Sequence, residues 1–327
     1  MRQPLLLFAL ISIVIASSGC GKAYIAKGYQ RGVTKDFTLS TSGQPTRSYS
    51  VHLPPNYSKD TQGGHPLVFS FHGATQTSKI QEDISDLSAN GLEINNKSFV
   101  AVYPQGVNGI KGTSAWTGAP YANSNVDDVA FVLKMMSVLT SDLCIDEDRI
   151  YATGKSNGGG FANYLACTPS TASKLAAIAT ASAAIYTNHA FGPNNNCNPG
   201  RGFPIIDFHG TTDDTIKYDG GRSNNADYLS SDNFFNGWGK RDNCTNPNQQ
   251  TLQDGAVTIR KWSGCKNTSL VRHFKINGMD HAWPRTTLPA KCNGKPGNND
   301  CDKTVINAND YLLPFFSQFA LSTTKWN

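Results

Sequence analysis

Three polar residues, each set just past an apolar run, carry the chemistry open to this chain. Gly154-Lys155-Ser156-Asn157-Gly158 is a G-x-S-x-G pentapeptide between the apolar run 150–153 and a helix-like stretch from Gly158. Glycines on both sides of a serine permit the tight strand-to-helix turn that presents a hydroxyl on a strained backbone. A plain turn serine at a helix N-terminus is the bland alternative. A serine hydroxyl is a weak nucleophile near neutral pH and needs a base, which in turn needs an orienting acid. His209-Gly210-Thr211-Thr212-Asp213 ends a second apolar run and offers Asp213, with Asp214 and Asp219 as neighbouring carboxylates. Gly278-Met279-Asp280-His281-Ala282-Trp283-Pro284 places His281 in a loop after the strand-like Arg272–Ile276. Ser156, Asp213 and His281 would serve as nucleophile, acid and base; His72 and His209 are read as supports for their turns.

A tetrahedral intermediate on Ser156 needs backbone donors for its oxyanion. One is the amide of Asn157, next to the nucleophile. The other comes from the loop His72-Gly73-Ala74-Thr75, with Ala74 the best placed. This chemistry requires no metal and no organic cofactor.

The elements that must hold these residues are strands and helices in alternation. Pro66–Phe71, Phe99–Tyr103, Ile150–Thr153 and Phe203–Phe208 are short runs, apolar on both faces and closed by glycine or proline. Buried parallel strands have this pattern. Phe37–Ser40 and Tyr49–Leu53 read as earlier antiparallel strands. Helical stretches begin at Asp127-Asp128, at Gly158 and at Leu312. Strand alternating with helix, with serine, acid and histidine in that chain order, predicts an α/β-hydrolase fold with a mostly parallel central sheet flanked by helices.

At 327 residues, 39% of them hydrophobic, the chain suits a single large domain. The net charge of +5 is too small and dispersed for nucleic acid. Arg2, the apolar stretch Leu5–Ala16 and the small residues Ala16-Ser17-Ser18 predict a signal peptide over 1–18 and one catalytic domain over 19–327, secreted and free of the membrane. The even count of 8 cysteines then reads as disulfides, with Cys244–Cys265 and Cys292–Cys301 as the local pairings. Closing the former loop of about twenty residues is worth about 3 kcal/mol in the loop-entropy picture. N-x-[ST] sequons at Asn56, Asn96, Asn243 and Asn267 are candidate glycosylation sites.

Several segments together resemble the secreted feruloyl esterases of fungi, within the first carbohydrate esterase family. They are Ser18–Lys22, Phe71–Thr77, Val126–Phe131, Leu143–Asp146, Gly154–Gly159, His209–Asp213 and Asp280–Pro284. The resemblance implies the same roles for Ser156, Asp213 and His281, and a disulfide at Cys20. It implies as substrates feruloylated arabinoxylan or pectin fragments and small hydroxycinnamate esters, with Trp116, Tyr121 and Trp283 as candidates for an aromatic-lined site. Acetylxylan esterase, short-chain polyester depolymerase of the polyhydroxybutyrate type, and an inactive carbohydrate-binding relative are the other readings. The chain departs from its relatives at Lys155 and Asn157, where apolar or aromatic residues are common, and in the cysteine-bearing loop 292–301.

Overall fold

Strands that are apolar on both faces need cover on both sides, and the interior of a layered sheet provides it. The computed structural model describes residues 17–324 apart from 111, 188–196, 224, 267–268 and 298. Its main sheet has ten strands: β1 (Val33–Leu39), β2 (Arg47–Leu53), β3 (His65–Phe71), β4 (Val100–Pro104), β5 (Ile145–Lys155), β6 (Ala177–Ala181), β7 (Ile205–Gly210), β8 (Asn246–Leu252), β9 (Val257–Ser263) and β10 (Val271–Ile276). Across the sheet they run β1-β2-β4-β3-β5-β6-β7-β10-β9-β8. The six from β4 to β10 in that order are parallel. Antiparallel pairs finish both edges. Strands β3, β4, β6 and β7 are buried at every position.

Helices α1 (Ser78–Ser85), α2 (Asp128–Asp142), α3 (Asn157–Cys167), α4 (Ser231–Arg241) and α5 (Asn309–Ser317) supply the cover. Alternation along β3 shows how the two layers divide. Leu67, Phe69 and Phe71 pack with Phe131, Met135, Phe161 and Trp238 of α2, α3 and α4. Val68 faces the other way, with Ile84 of α1 and Leu312 and Phe316 of α5.

Strands β6, β8 and β9 and helices α1 and α4 are not among the elements the sequence pattern marks. Strand β6, Ala177-Ile178-Ala179-Thr180-Ala181, is built of small residues because α3 packs closely on it. Strand β8 is almost wholly exposed and polar, and is held by its ladder to β9 rather than by burial.

All four disulfides lie within the described residues: Cys20–Cys144, Cys167–Cys197, Cys244–Cys265 and Cys292–Cys301. The last two are the local pairings expected from spacing. Asn56, Asn96 and Asn243 are exposed, whereas Asn267 lies outside the described residues. The expected leader lies outside them too, except for Ser17 and Ser18. Ser17 is buried; its Oγ donates to Leu143 O (2.7 Å) and accepts from Ile145 N (2.8 Å), and its own N–H donates to Ile145 O (3.0 Å). Cleavage after Ser18 would remove these bonds.

One buried ion pair ties the first hairpin to the helical layer. Arg47 Nη1 on β2 lies 2.6 Å from Asp128 Oδ1 in the first turn of α2, and both side chains are almost fully buried. The guanidinium also stacks over the Phe131 ring at 3.9 Å. The other carboxylate oxygen accepts from Thr117 N and Oγ1, which anchors the loop carrying Trp116. Removing one partner of such a pair strands a charge in low dielectric, at a cost of about 3–5 kcal/mol. Asp128→Ala is therefore expected to lower the urea midpoint by that equivalent at unchanged slope; a loss below about 1 kcal/mol would show that Arg47 finds other compensation.

Candidate active site

The pentapeptide sits where β5 ends and α3 begins. Ser156 has φ 55° and ψ −124°, a conformation that costs a non-glycine residue about 1–3 kcal/mol. It is maintained from outside: Ser156 N donates to Ala181 O of β6 (3.0 Å), and Ser156 O accepts from Gly160 N and Ala184 N. The flanking glycines serve close approach. A Cβ on Gly158 would lie 2.2 Å from Phe71 O, and one on Gly154 would lie 2.5 Å from Gly158 C.

The loop after β3 is drawn against this turn. His72 Nδ1 donates to Gly73 O (2.7 Å), while Nε2 accepts from Gly106 N (2.9 Å). Burial pulls the His72 pKa down to about 4, so the imidazole is neutral, as this bonding pattern requires. Trp116 Nε1 donates to His72 O (3.0 Å), and the Asn157 side chain accepts from Trp116 N (2.8 Å). The backbone amides of Ala74 and Asn157 have no protein acceptor among the described residues. They stand on either side of the Gly73–Ser156 contact, where a Cβ on Gly73 would lie 3.3 Å from Ser156 Cβ.

Asp213 and His281 meet from loops after β7 and β10. His281 Nδ1 lies 2.8 Å from Asp213 Oδ2. Asp213 Oδ1 accepts from Thr215 N (3.0 Å) and Ile216 N (2.7 Å), so the carboxylate is locked in its own turn. Burial would raise the acid's pKa, yet hydrogen bonds from His209 and His281 outweigh it and hold Asp213 well below the usual carboxylate range. Asp214 and Asp219 are exposed, and neither is bonded to His281. With Nδ1–H directed to Asp213, Nε2 of His281 is left as the proton acceptor. His281 and Ser156 line one cavity of about 670 Å³.

His209 does more than support a turn. Its Nε2 donates to Ile216 O (2.7 Å) and lies 3.3 Å from Asp213 Oδ2, so one carboxylate oxygen faces two imidazoles. Burial opposes protonation of His209, but Asp213 and Asp207 prevail and raise its pKa. The i,i+4 spacing of His209 and Asp213 was the available signal for this contact.

Two of the three aromatic candidates do not reach the cavity. Trp116 is fully buried, parallel to Phe161 with ring centroids 5.2 Å apart, and its Nε1 holds His72 O in the loop after β3. Trp283 is buried in the core beneath α5. Tyr121 does line the cavity, joined by Tyr228, Pro120 and Ile216. The Tyr121 and Tyr186 hydroxyls are 2.8 Å apart, and Tyr186 packs on Tyr228. Tyr228, at the end of the three-residue strand Ala226–Tyr228 in a small antiparallel hairpin with Gly221–Ser223, gave no signal of its role.

A mostly parallel sheet with a serine on its strand-to-helix elbow and an Asp–His pair on later loops defines an α/β-hydrolase. No protein-family profile matches the chain. It is 30% identical over 292 residues to feruloyl esterase D of Neurospora crassa, covering 85% of this chain and 87% of that one. It is 31% identical over 224 residues to a probable feruloyl esterase C of Aspergillus niger, covering 66% and 70%. Against feruloyl esterase B of Piromyces equi it is 30% identical over 241 residues, 72% of this chain but 42% of that longer protein. The chain belongs to the feruloyl esterase family and is a carboxylic ester hydrolase.

Burial, followed by the charge of Lys155, lowers the pKa of His281, and Asp213 only partly opposes them. The neutral form thus persists below the ordinary histidine range. Ester hydrolysis is expected to lose rate only as pH falls below about 6.5, with a single acid limb in kcat/KM. A limb centred above that value would contradict the electrostatics described.

Proposed function

We propose that this enzyme hydrolyses hydroxycinnamate esters of plant cell-wall polysaccharides through an acyl-enzyme on Ser156. His281 Nε2 takes the Ser156 Oγ proton as Oγ attacks the ester carbonyl carbon. Negative charge passes to the carbonyl oxygen, between the amides of Ala74 and Asn157. Asp213 stabilises the imidazolium that forms. The C–O bond to the sugar breaks as His281 returns the proton to the departing alcohol oxygen. Water then repeats the sequence, and ferulate or a related acid leaves. The buried 2.8 Å pair of Asp213 and His281, opening on the same cavity as a strained Ser156, carries this reading. Export is supported by four disulfides and by exposed sequons at Asn56, Asn96 and Asn243.

Ser156→Ala is expected to remain folded and lose several orders of magnitude in kcat, with no labelling by an organophosphate. Activity above a tenth of wild type would remove the nucleophile from this scheme.

The substrate class rests on the wall formed by Pro120, Tyr121, Ile216 and Tyr228. Burying one aromatic ring at about 25 cal/mol per Å² is worth a few kcal/mol. Methyl ferulate or methyl p-coumarate should therefore exceed a matched acetate ester in kcat/KM by tens-fold, and Tyr228→Ala should erase most of that margin through KM. Equal rates or a preference for acetate would favour an acetylxylan esterase.

A further inference from the structure

Lys155 is an unusual residue to find inside an elbow: a long cation whose side chain is 3% exposed. A buried ammonium needs a partner. That partner is Asp300, from the loop closed by Cys292–Cys301, with Lys155 Nζ 2.5 Å from Asp300 Oδ1. The second oxygen, Oδ2, accepts from Gln76 Nε2 (2.5 Å) and Lys291 Nζ (2.8 Å). Gln76 in turn accepts from Gly73 N through Oε1 (3.2 Å), inside the oxyanion loop. One residue earlier in the disulfide loop, Asn299 N donates to Asp280 Oδ2 (3.2 Å), beside His281. The small loop is thus bonded to the elbow, to the oxyanion loop and to the base loop.

We propose that Asp300 is a positioning residue for ester hydrolysis: its carboxylate couples the oxyanion loop to the nucleophile elbow and screens Lys155 from His281. The proposal rests on the reading of Ser156 and His281 given above. The charged groups around His281 are Asp213 and, across it, His209; Lys155 on the elbow, which lines the same cavity; and Asp280 on its own loop, with Asp302 bonded to Asp280 N and the Asp214 carboxylate within 4.8 Å of those of Asp213 and Asp280. Among these, Lys155 alone has its charge balanced by the disulfide loop. Lys291 completes the balance from the cavity side and would keep Asp300 paired if Lys155 were removed.

The test compares Asp300→Asn, Lys155→Met and the double variant on methyl ferulate, with active enzyme counted by organophosphate titration. In Asp300→Asn an unscreened Lys155 disfavours the imidazolium, so the acid limb of kcat/KM should move down by about half a pH unit or more. Its kcat should fall by about tenfold, with KM nearly unchanged, as the oxyanion loop loosens. Lys155→Met should move the limb upward. The double variant should return the limb to the wild-type position, while kcat stays low because the carboxylate that holds Gln76 is still absent.

A purely structural role would lower the titrated amount of enzyme and leave the limb in place, and that result overturns the proposal. So does a shift that survives in the double variant. Should Asp300→Asn fail to fold, Lys155→Met decides alone: an upward limb supports the proposal and an unmoved one overturns it. Failure of the underlying mechanism would appear separately, as activity retained by Ser156→Ala.

Discussion

The site is organised around a backbone-to-backbone contact that leaves no room for a side chain. The first turn of α3 lies so close to the end of β3 that a Cβ on Gly158 would fall 2.2 Å from Phe71 O and 2.5 Å from His72 O. This approach brings the Ser156 turn and the Gly73-Ala74 loop together, although they come from different parts of the chain. Much of the nearby polar structure preserves it. His72 closes its own loop and grips Gly106, Trp116 pins His72 O, and the Asn157 side chain holds Trp116. The buried Arg47–Asp128 pair fixes the segment that carries Trp116. Low stability at a strained serine is offset by hydrogen bonds to β6 and to Ala184 that do not involve the reacting atoms.

Charge inside this site is handled by sharing. One Asp213 oxygen faces His281 and His209, and the other takes two backbone amides, so burial does not neutralise the acid. Asp300 follows the same logic, with Lys155, Lys291 and Gln76 around one carboxylate. The aromatic wall of Tyr121 and Tyr228 carries no such charge. The cavity lining therefore combines aromatic residues with a set of paired ionic ones.

Much of this was legible in the residues. Continuous apolar runs closed by glycine mark the parallel strands, and the order of Ser156, Asp213 and His281, each past a strand, marks the loops that carry them. The sequence points to Asp213 through its place just past the strand and through the family resemblance, but that the turn buries it and leaves Asp214 exposed emerges only in the structure. Trp116 and Trp283 show the same limit: aromatic residues near a site are equally suited to packing behind it, and composition does not give their direction. The Lys155–Asp300–Gln76 connection was hidden by distance, since Gln76 and Asp300 are 224 positions apart. Its one visible sign was a lysine between an apolar strand and a glycine-rich helix. Strand β6 was missed because alanine carries no β signal, and β8 because an exposed edge need not alternate.

Strand β8 has a consequence for the enzyme outside its own fold. An open sheet offers its last strand's free N–H and C=O groups to any neighbouring molecule. Here that strand is Asn246-Pro247-Asn248-Gln249-Gln250-Thr251-Leu252, polar at nearly every position and interrupted by an imino acid that has no N–H to give. At the far edge, β1 carries Lys35 and Asp36 in succession. Neither border is a good template for a second copy to extend the sheet. Molecules crowded together in a concentrated solution would therefore meet along surfaces that resist cross-strand pairing, which disfavours fibrous assembly without any contribution from the catalytic half of the protein.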